Sequence, residues 1–217
     1  GEDVRWVKFV ILTNDPRRVY YQDSIKYPFH YEFATQRLVP FAGMSRAAFD
    51  AVTLRRANQQ AILGTVLYPP RANFVEYGVQ FTGLDAYTPD EIERWMKSVQ
   101  STVHAESGAA ICYMPVFEQS ESVRQQDAEY ESRGITVASL DRWIASNHCY
   151  SPGWALGRLK YFPAAEIEAA FTDGRLQPQD ILLTNGVPAE TPLVAGIISL
   201  APSTPNSHTA ILAQSFG

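Results

Sequence analysis

The 217-residue chain is short of several things at once. It has two cysteines, Cys112 and Cys149, and no CxxC pair or Cys/His cluster, so four ligands at structural-zinc spacing cannot be assembled. Two reduced, half-buried thiols are the plain reading, and one disulfide in an exported protein is the alternative. No apolar run reaches the ~18 residues of a membrane span, which argues against a transmembrane helix. The opening GEDVRWVKFVIL lacks the basic start and small-residue cleavage site of a signal peptide. Gly1 stands where an initiator methionine would, which leaves a signal peptide removed before Gly1 as an alternative. Positive charge is also in deficit. Eighteen Lys and Arg against 23 Asp and Glu leave a net charge of −5, which speaks against nucleic acid or an anionic membrane as partner. Neither GxxxxGK[ST] nor GxGxxG occurs, so no nucleotide-phosphate loop is expected in this chain.

What is present is ordinary globular material, 46% hydrophobic and 19% charged. A chain of this length buries roughly 70% of its unfolded surface and needs no staple to stay folded. The pattern predicts strands over residues 6–12 and 19–22, a helix over 28–38 with Phe29, Phe33 and Arg37 on one face, and a helix opened by Ser45. Strands follow over 61–68 and 75–82, the second alternating as a half-buried strand does. Thr88-Pro89-Asp90-Glu91 is a helix start with a capping threonine, proline at the first position and acids in the first turn. That helix is expected to run to about residue 103 and to bury Ile92, Trp95, Met96 and Val99. A strand over 110–114, a polar helix over 118–133 ending at Gly134 and a short strand over 135–137 complete an α/β (or α+β) domain.

The turn-rich NHCYSPG marks a boundary, giving an uncharacterised domain over 1–147, with an accessory or substrate-binding role, and a second over 148–217. The second reads as strand over 154–162, helix over 163–171, strands at ILLT (181–184) and VAGIISL (194–200), and a helix from His208. There, Pro205-Asn206-Ser207-His208-Thr209 carries a strand through a polar loop into a helix whose first turn holds a histidine. Free amides at a helix N-terminus hold phosphate oxygens, and the positive dipole end favours neutral imidazole, whose lone pair can attack phosphorus. Thr204, Asn206, Ser207 and Thr209 add hydrogen-bonding groups that would orient a phosphoryl group on His208.

The segments SPGWALGR, DILLT, AGII and SHTAILA, in that order over about residues 150–217, resemble the phosphohistidine (swivelling) domain of the phosphoenolpyruvate synthase and pyruvate phosphate dikinase family. The resemblance implies a partial β/β/α swivelling domain, unfinished at the C-terminus because the chain stops at Gly217 where Ile-Pro is next expected. It further implies that His208 is a phosphoryl carrier, that ATP and Mg²⁺ are used by an ATP-grasp domain of the same longer chain, and that pyruvate or another small molecule is the acceptor. The fragment alone is then inactive, and ATP use points to the cytoplasm. Ser203-Thr204 stand where the family has paired glycines, and Gln214 where it has an arginine. These departures motivate the alternative, a non-catalytic interaction module that keeps the fold with a degenerate site.

Elsewhere the residues read as structure. His30 lies among aromatics and is expected to be packed and hydrogen-bonded, while His104 and His148 fall near element ends and read as exposed. Asp15, Arg17 and Arg18 read as a solvated turn. Tyr20, Tyr21, Tyr27, Phe29, Tyr31 and Phe33 could wall an apolar pocket, which core packing explains as well. Nothing in the spacing pairs Glu32 with Asp50 or Glu76 with Glu118 as an acid and base.

Overall fold

The computed structural model describes residues 4–70, 76–105, 108–143, 153–186 and 192–201. The chain divides into two compact units, Gly1–Ser139 and Leu140–Gly217. The boundary expected at 147/148 falls within residues 144–152, which lie outside the described residues.

In the first unit, β1 (Arg5–Leu12), β2 (Val19–Tyr21), α1 (His30–Arg37) and α2 (Arg46–Thr53) come first. Then follow β3 (Ala61–Tyr68), β4 (Glu76–Thr82), α3 (Pro89–Gln100), β5 (Ala110–Tyr113), α4 (Phe117–Gln125), α5 (Asp127–Ser132) and β6 (Thr136–Val137). The strands form one mixed sheet in the order β2-β1-β3-β4-β5-β6. The first four strands pair antiparallel, and β4-β5-β6 pair parallel. Helix α3 begins as its sequence demands. Thr88 Oγ1 accepts from the Glu91 amide, and the Glu91 carboxylate accepts from the Thr88 amide at 2.8 Å. Ser45 caps α2 by accepting from the Ala48 amide.

Strand periodicity sends alternate residues to two apolar layers. Phe9, Ile11, Ile62, Val66, Val79, Phe81 and Tyr113 pack against Ile92, Trp95, Met96 and Val99 of α3, with Val123 and Tyr130 beside them. On the opposite face Val10, Leu12, Ala61 and Leu63 pack against Phe33, Ala34, Phe41 and Phe49. Gln119 fastens α4 to the sheet: the Tyr113 hydroxyl donates to its Oε1 at 2.7 Å and its Nε2 donates to the Phe81 carbonyl at 3.0 Å.

Several expectations are corrected. Strand β4 is buried on both faces rather than half-buried, because β3 and β5 flank it and helices cover both layers. The helix expected over 118–133 breaks into α4 and α5 at Gln126, whose backbone (φ −111°, ψ 16°) is not helical. Its polar sequence is no purely solvated face either, since Gln119, Val123 and Tyr130 are buried. Arg37 is exposed; Phe33 and Ala34 take the inner face of α1, and Leu38, just after it, is buried. Helix α3 stops at Gln100, short of residue 103.

The second unit contains β7 (Leu159–Tyr161), α6 (Ile167–Thr172), β8 (Ile181–Thr184) and β9 (Gly196–Ser199). The three strands form a parallel sheet in sequence order. The strand expected over 154–162 shrinks to three residues, with Trp154 93% exposed. Both units mix helix and strand, so the chain is α/β (or α+β). Among the described residues no helix is long and apolar enough to cross a membrane.

Gly64 lies where β3 passes the Phe9 ring, and a Cβ there would overlap that ring and sit 2.7 Å from the Gln80 carbonyl oxygen. Gly64→Ala is therefore expected to cost about 1–3 kcal/mol in urea unfolding, as overpacking does. A neutral effect would contradict this close approach.

Candidate functional site

The predicted site follows β9, so the geometry of the second sheet matters most. Helix α6 connects β7 to β8 and packs Ile167 and Ala170 with Leu176 and Leu182 on one face of the sheet. Asp180, just before β8, is 2% exposed and accepts from Lys160 Nζ and the Gln177 amide, each at 2.8 Å. The Lys160 hydrogen bond holds its carboxyl below the usual range. Gly157 approaches the same turn so closely that a Cβ would overlap the Gln179 carbonyl oxygen. At the other end of the strands, Thr184 Oγ1 donates to the Gly186 carbonyl at 2.8 Å, and Asn185 Oδ1 accepts from the Ala164 amide at 2.9 Å. The Leu200 amide donates to the Thr184 carbonyl, so β8 and β9 end side by side. Carboxyl ends of parallel strands are where open α/β sheets place ligands. Thr204, Asn206, Ser207, His208 and Thr209 lie outside the described residues, as do Cys149 and His148.

The other candidates resolve into structure. His30 Nε2 is 3.0 Å from the Gly64 carbonyl oxygen, the packed, hydrogen-bonded histidine the sequence predicts. His104, Asp15, Arg17 and Arg18 are exposed, with Arg18 over the Tyr20 ring. The six aromatics are divided among the packing: Tyr20, Tyr27, Tyr31 and Phe33 join one apolar layer, Tyr21 packs on the other, and Phe29 lies against the Lys8 amine and the Arg46 guanidinium. Asp50 accepts from Arg46 through both oxygens. Cys112 is buried, and its thiol donates to the Tyr77 carbonyl.

One cluster was not found from sequence. Lys8 pairs with Thr65, and Thr65 with Gln80, while the Gln22 amide donates to the Lys8 carbonyl. A buried polar row, Gln22-Lys8-Thr65-Gln80, thus runs from the residue after β2 across β1, β3 and β4. Lys8 is 3% exposed and donates from Nζ to the Pro28 carbonyl at 2.6 Å, between the rings of Trp6 and Phe29. Among the described residues no carboxylate lies within ion-pairing distance of it. Burial lowers its amine from 10.5 to about 8; the Glu32 carboxylate pulls it back up, and the Arg46 guanidinium pushes it further down. Gln22 donates to the Tyr27 carbonyl, but its Oε1 is buried without a partner. The signal available in sequence was a lysine inside the apolar run WVKFVIL. An amine near this value is partly neutral at pH 8 and is able to act as a base.

No family model matches the chain, and the comparisons with curated proteins and with solved structures found no match. Among the described residues no group of three or more metal-ligating side chains occurs.

The buried amine makes a pH-dependent expectation. Charge on Lys8 costs stability fully below pH 8 and not at all above pH 10.5, where the unfolded chain also loses its proton. Lys8→Met should be more stable than wild type at pH 7, and the difference should shrink by on the order of 2–3 kcal/mol between pH 7 and 10.5. Urea unfolding across that range tests it, and a constant difference would show that the lysine is not buried as a charge. Gly157→Ala is expected to lower the thermal midpoint, because the clash is with backbone and cannot be relieved by a rotamer change.

Proposed function

We propose that the chain is part of a phosphoenolpyruvate-synthase-like phosphotransferase in which His208 carries a phosphoryl group from ATP to pyruvate or another small acceptor. The observation that carries the reading is the direction of the second sheet. Three parallel strands run in sequence order, and β9 ends at Ser199, nine residues before His208 and beside the polar end of β8. The chain leaves β9 at the carboxyl ends of parallel strands, where open α/β sheets bind ligands, which supports this reading.

The chemistry asked of the residues is limited. A neutral His208 imidazole nitrogen attacks phosphorus; a P–N bond forms as the P–O bond to the leaving group breaks. An acceptor oxygen later attacks the same phosphorus, and the P–N electron pair returns to the ring. Thr204, Asn206, Ser207 and Thr209, with helix N-terminal amides, would hold the phosphoryl oxygens. With no nucleotide-phosphate motif in the sequence, the reading assigns ATP and Mg²⁺ to an ATP-grasp domain of the same longer chain. ATP use favours the cytoplasm.

Incubating the whole protein with β- and γ-labelled ATP should yield an acid-labile, base-stable label on the wild type that His208→Ala abolishes. Absence of acid-labile label, or its persistence in His208→Ala, would overturn the carrier role. Loss of all label with unchanged partner binding in His208→Ala would leave the carrier reading intact and remove the interaction-module alternative as the main role of His208.

A further inference from the structure

A cleft of about 250 Å³ opens in the first unit, away from the polar row of Lys8. The turn after β1 contributes Thr13 and Pro16, the loop before β3 contributes Arg56 and Gln59, and α3 contributes Glu91, Arg94 and Trp95, with Ile62 on the floor. Its walls are tied to one another. Ser98 Oγ donates to the Pro16 carbonyl at 2.8 Å, and Thr13 Oγ1 donates to the Gln60 carbonyl at 3.1 Å. Gln59 Nε2 donates to the Thr53 carbonyl and to the Tyr87 hydroxyl, both at 2.8 Å. Asn58, in the same loop, is the single non-glycine residue in the left-handed region among the described residues (φ 58°). Backbone held in that region is over-represented where a loop must present particular groups.

The charges decide what the cleft can take. Arg56 is committed: its amide donates to Asp85, and its guanidinium donates to Glu91 at 2.7 Å and to the Ala86 carbonyl. Glu91 is committed in turn, one oxygen to Arg56 and the other to the Thr88 amide and hydroxyl. The remaining acids of α3 are spoken for as well. Asp90 pairs with Arg133, and Glu93 pairs with Lys97 and Arg133. Arg94 alone among the basic residues lining the cleft makes no ion pair with any described residue. Beside it lie the apolar surfaces of Trp95, Ile62 and Pro16, and the Gln59 Oε1 and Thr13 hydroxyl oxygens are available as acceptors. The volume is below the roughly 300–1,000 Å³ of drug- and cofactor-sized pockets, which argues for a small ligand rather than a nucleotide.

We propose that this cleft binds a small organic carboxylate, with Arg94 holding the carboxylate, Trp95 and Ile62 receiving the carbon skeleton, and Thr13 and Gln59 accepting from a hydroxyl or amino group on it. A guanidinium fork matches a carboxylate in two parallel hydrogen bonds, and both are stronger than neutral ones. The site stands independently of the role given to His208.

The test is a titration of the full chain with lactate, lactamide and inorganic phosphate, following the indole N–H resonance of Trp95 assigned with Trp95→Phe. Lactate should shift it saturably in the millimolar range. Lactamide, which keeps the shape and loses the charge, should bind at least about tenfold more weakly, as should lactate to Arg94→Ala. Arg94 is exposed, so its removal leaves the fold intact; Arg37→Ala, on the opposite layer, should bind lactate like wild type. No saturable shift, equal binding of lactamide, or equal binding by Arg94→Ala would each overturn the proposal. Phosphate binding as tight as lactate would overturn the organic part of it and leave a plain anion site.

Discussion

Strand β3 is the constraint on which the first unit depends. It is buried from Ala61 to Leu67 and pairs along its length with β1 on one side and β4 on the other. Both apolar layers of the unit are joined through it. A slip of one residue would exchange Ile62, Gly64 and Val66 with Leu63, Thr65 and Leu67, turning each set toward the wrong helices. Gly64 pins this register, because only a residue without a side chain lets the Phe9 ring lie across the strand. The helices are secondary to that arrangement: α3 covers one layer and α1 with α2 the other, each with its apolar stripe already set by spacing.

The same register places the polar row of Gln22, Lys8, Thr65 and Gln80 on one buried line. A lysine in such a row is costly, since desolvation penalises the ammonium and the Glu32 carboxylate offsets only part of that, with no ion pair to Lys8 among the described residues. One carbonyl and two aromatic faces offset part of that cost. The second unit is organised differently. Its parallel sheet is covered by α6 on one face, while Leu159, Tyr161 and Ile198 on the other are 60%, 52% and 49% exposed. Parallel strands are ordinarily covered on both faces, so this sheet is half-covered within the described residues.

Much of this architecture was legible beforehand where local signals are strong. The capping box at Thr88, the stripe of Ile92, Trp95, Met96 and Val99, the Ser45 cap and strand β3 all follow from spacing and stop signals. The misreadings share a cause. Burial of β4 on both faces depends on β5, some thirty residues on, and on the layers packed over the sheet, and the break at Gln126 depends on a local turn that a helical polar pattern hides. Residues 154–158 look apolar enough for a strand, yet Trp154 and Leu156 are exposed.

For the sites the division runs the same way. The carrier segment proposed around His208 can be read from sequence because its residues are contiguous along the chain. The Lys8 row and the Arg94 cleft are not contiguous. Gln22 follows β2 while Lys8, Thr65 and Gln80 lie on β1, β3 and β4, and Thr13, Gln59, Glu91 and Arg94 come from three separate segments. Where capping, spacing and stop signals are strong, sequence by itself determined helix or strand and the apolar face, as for α2, α3 and β3, since those depend on neighbours a few residues away. Tertiary structure alone decided which of the cleft's two arginines pairs with an acid among the described residues and which lysine loses its water, because pairing and desolvation depend on what packs alongside.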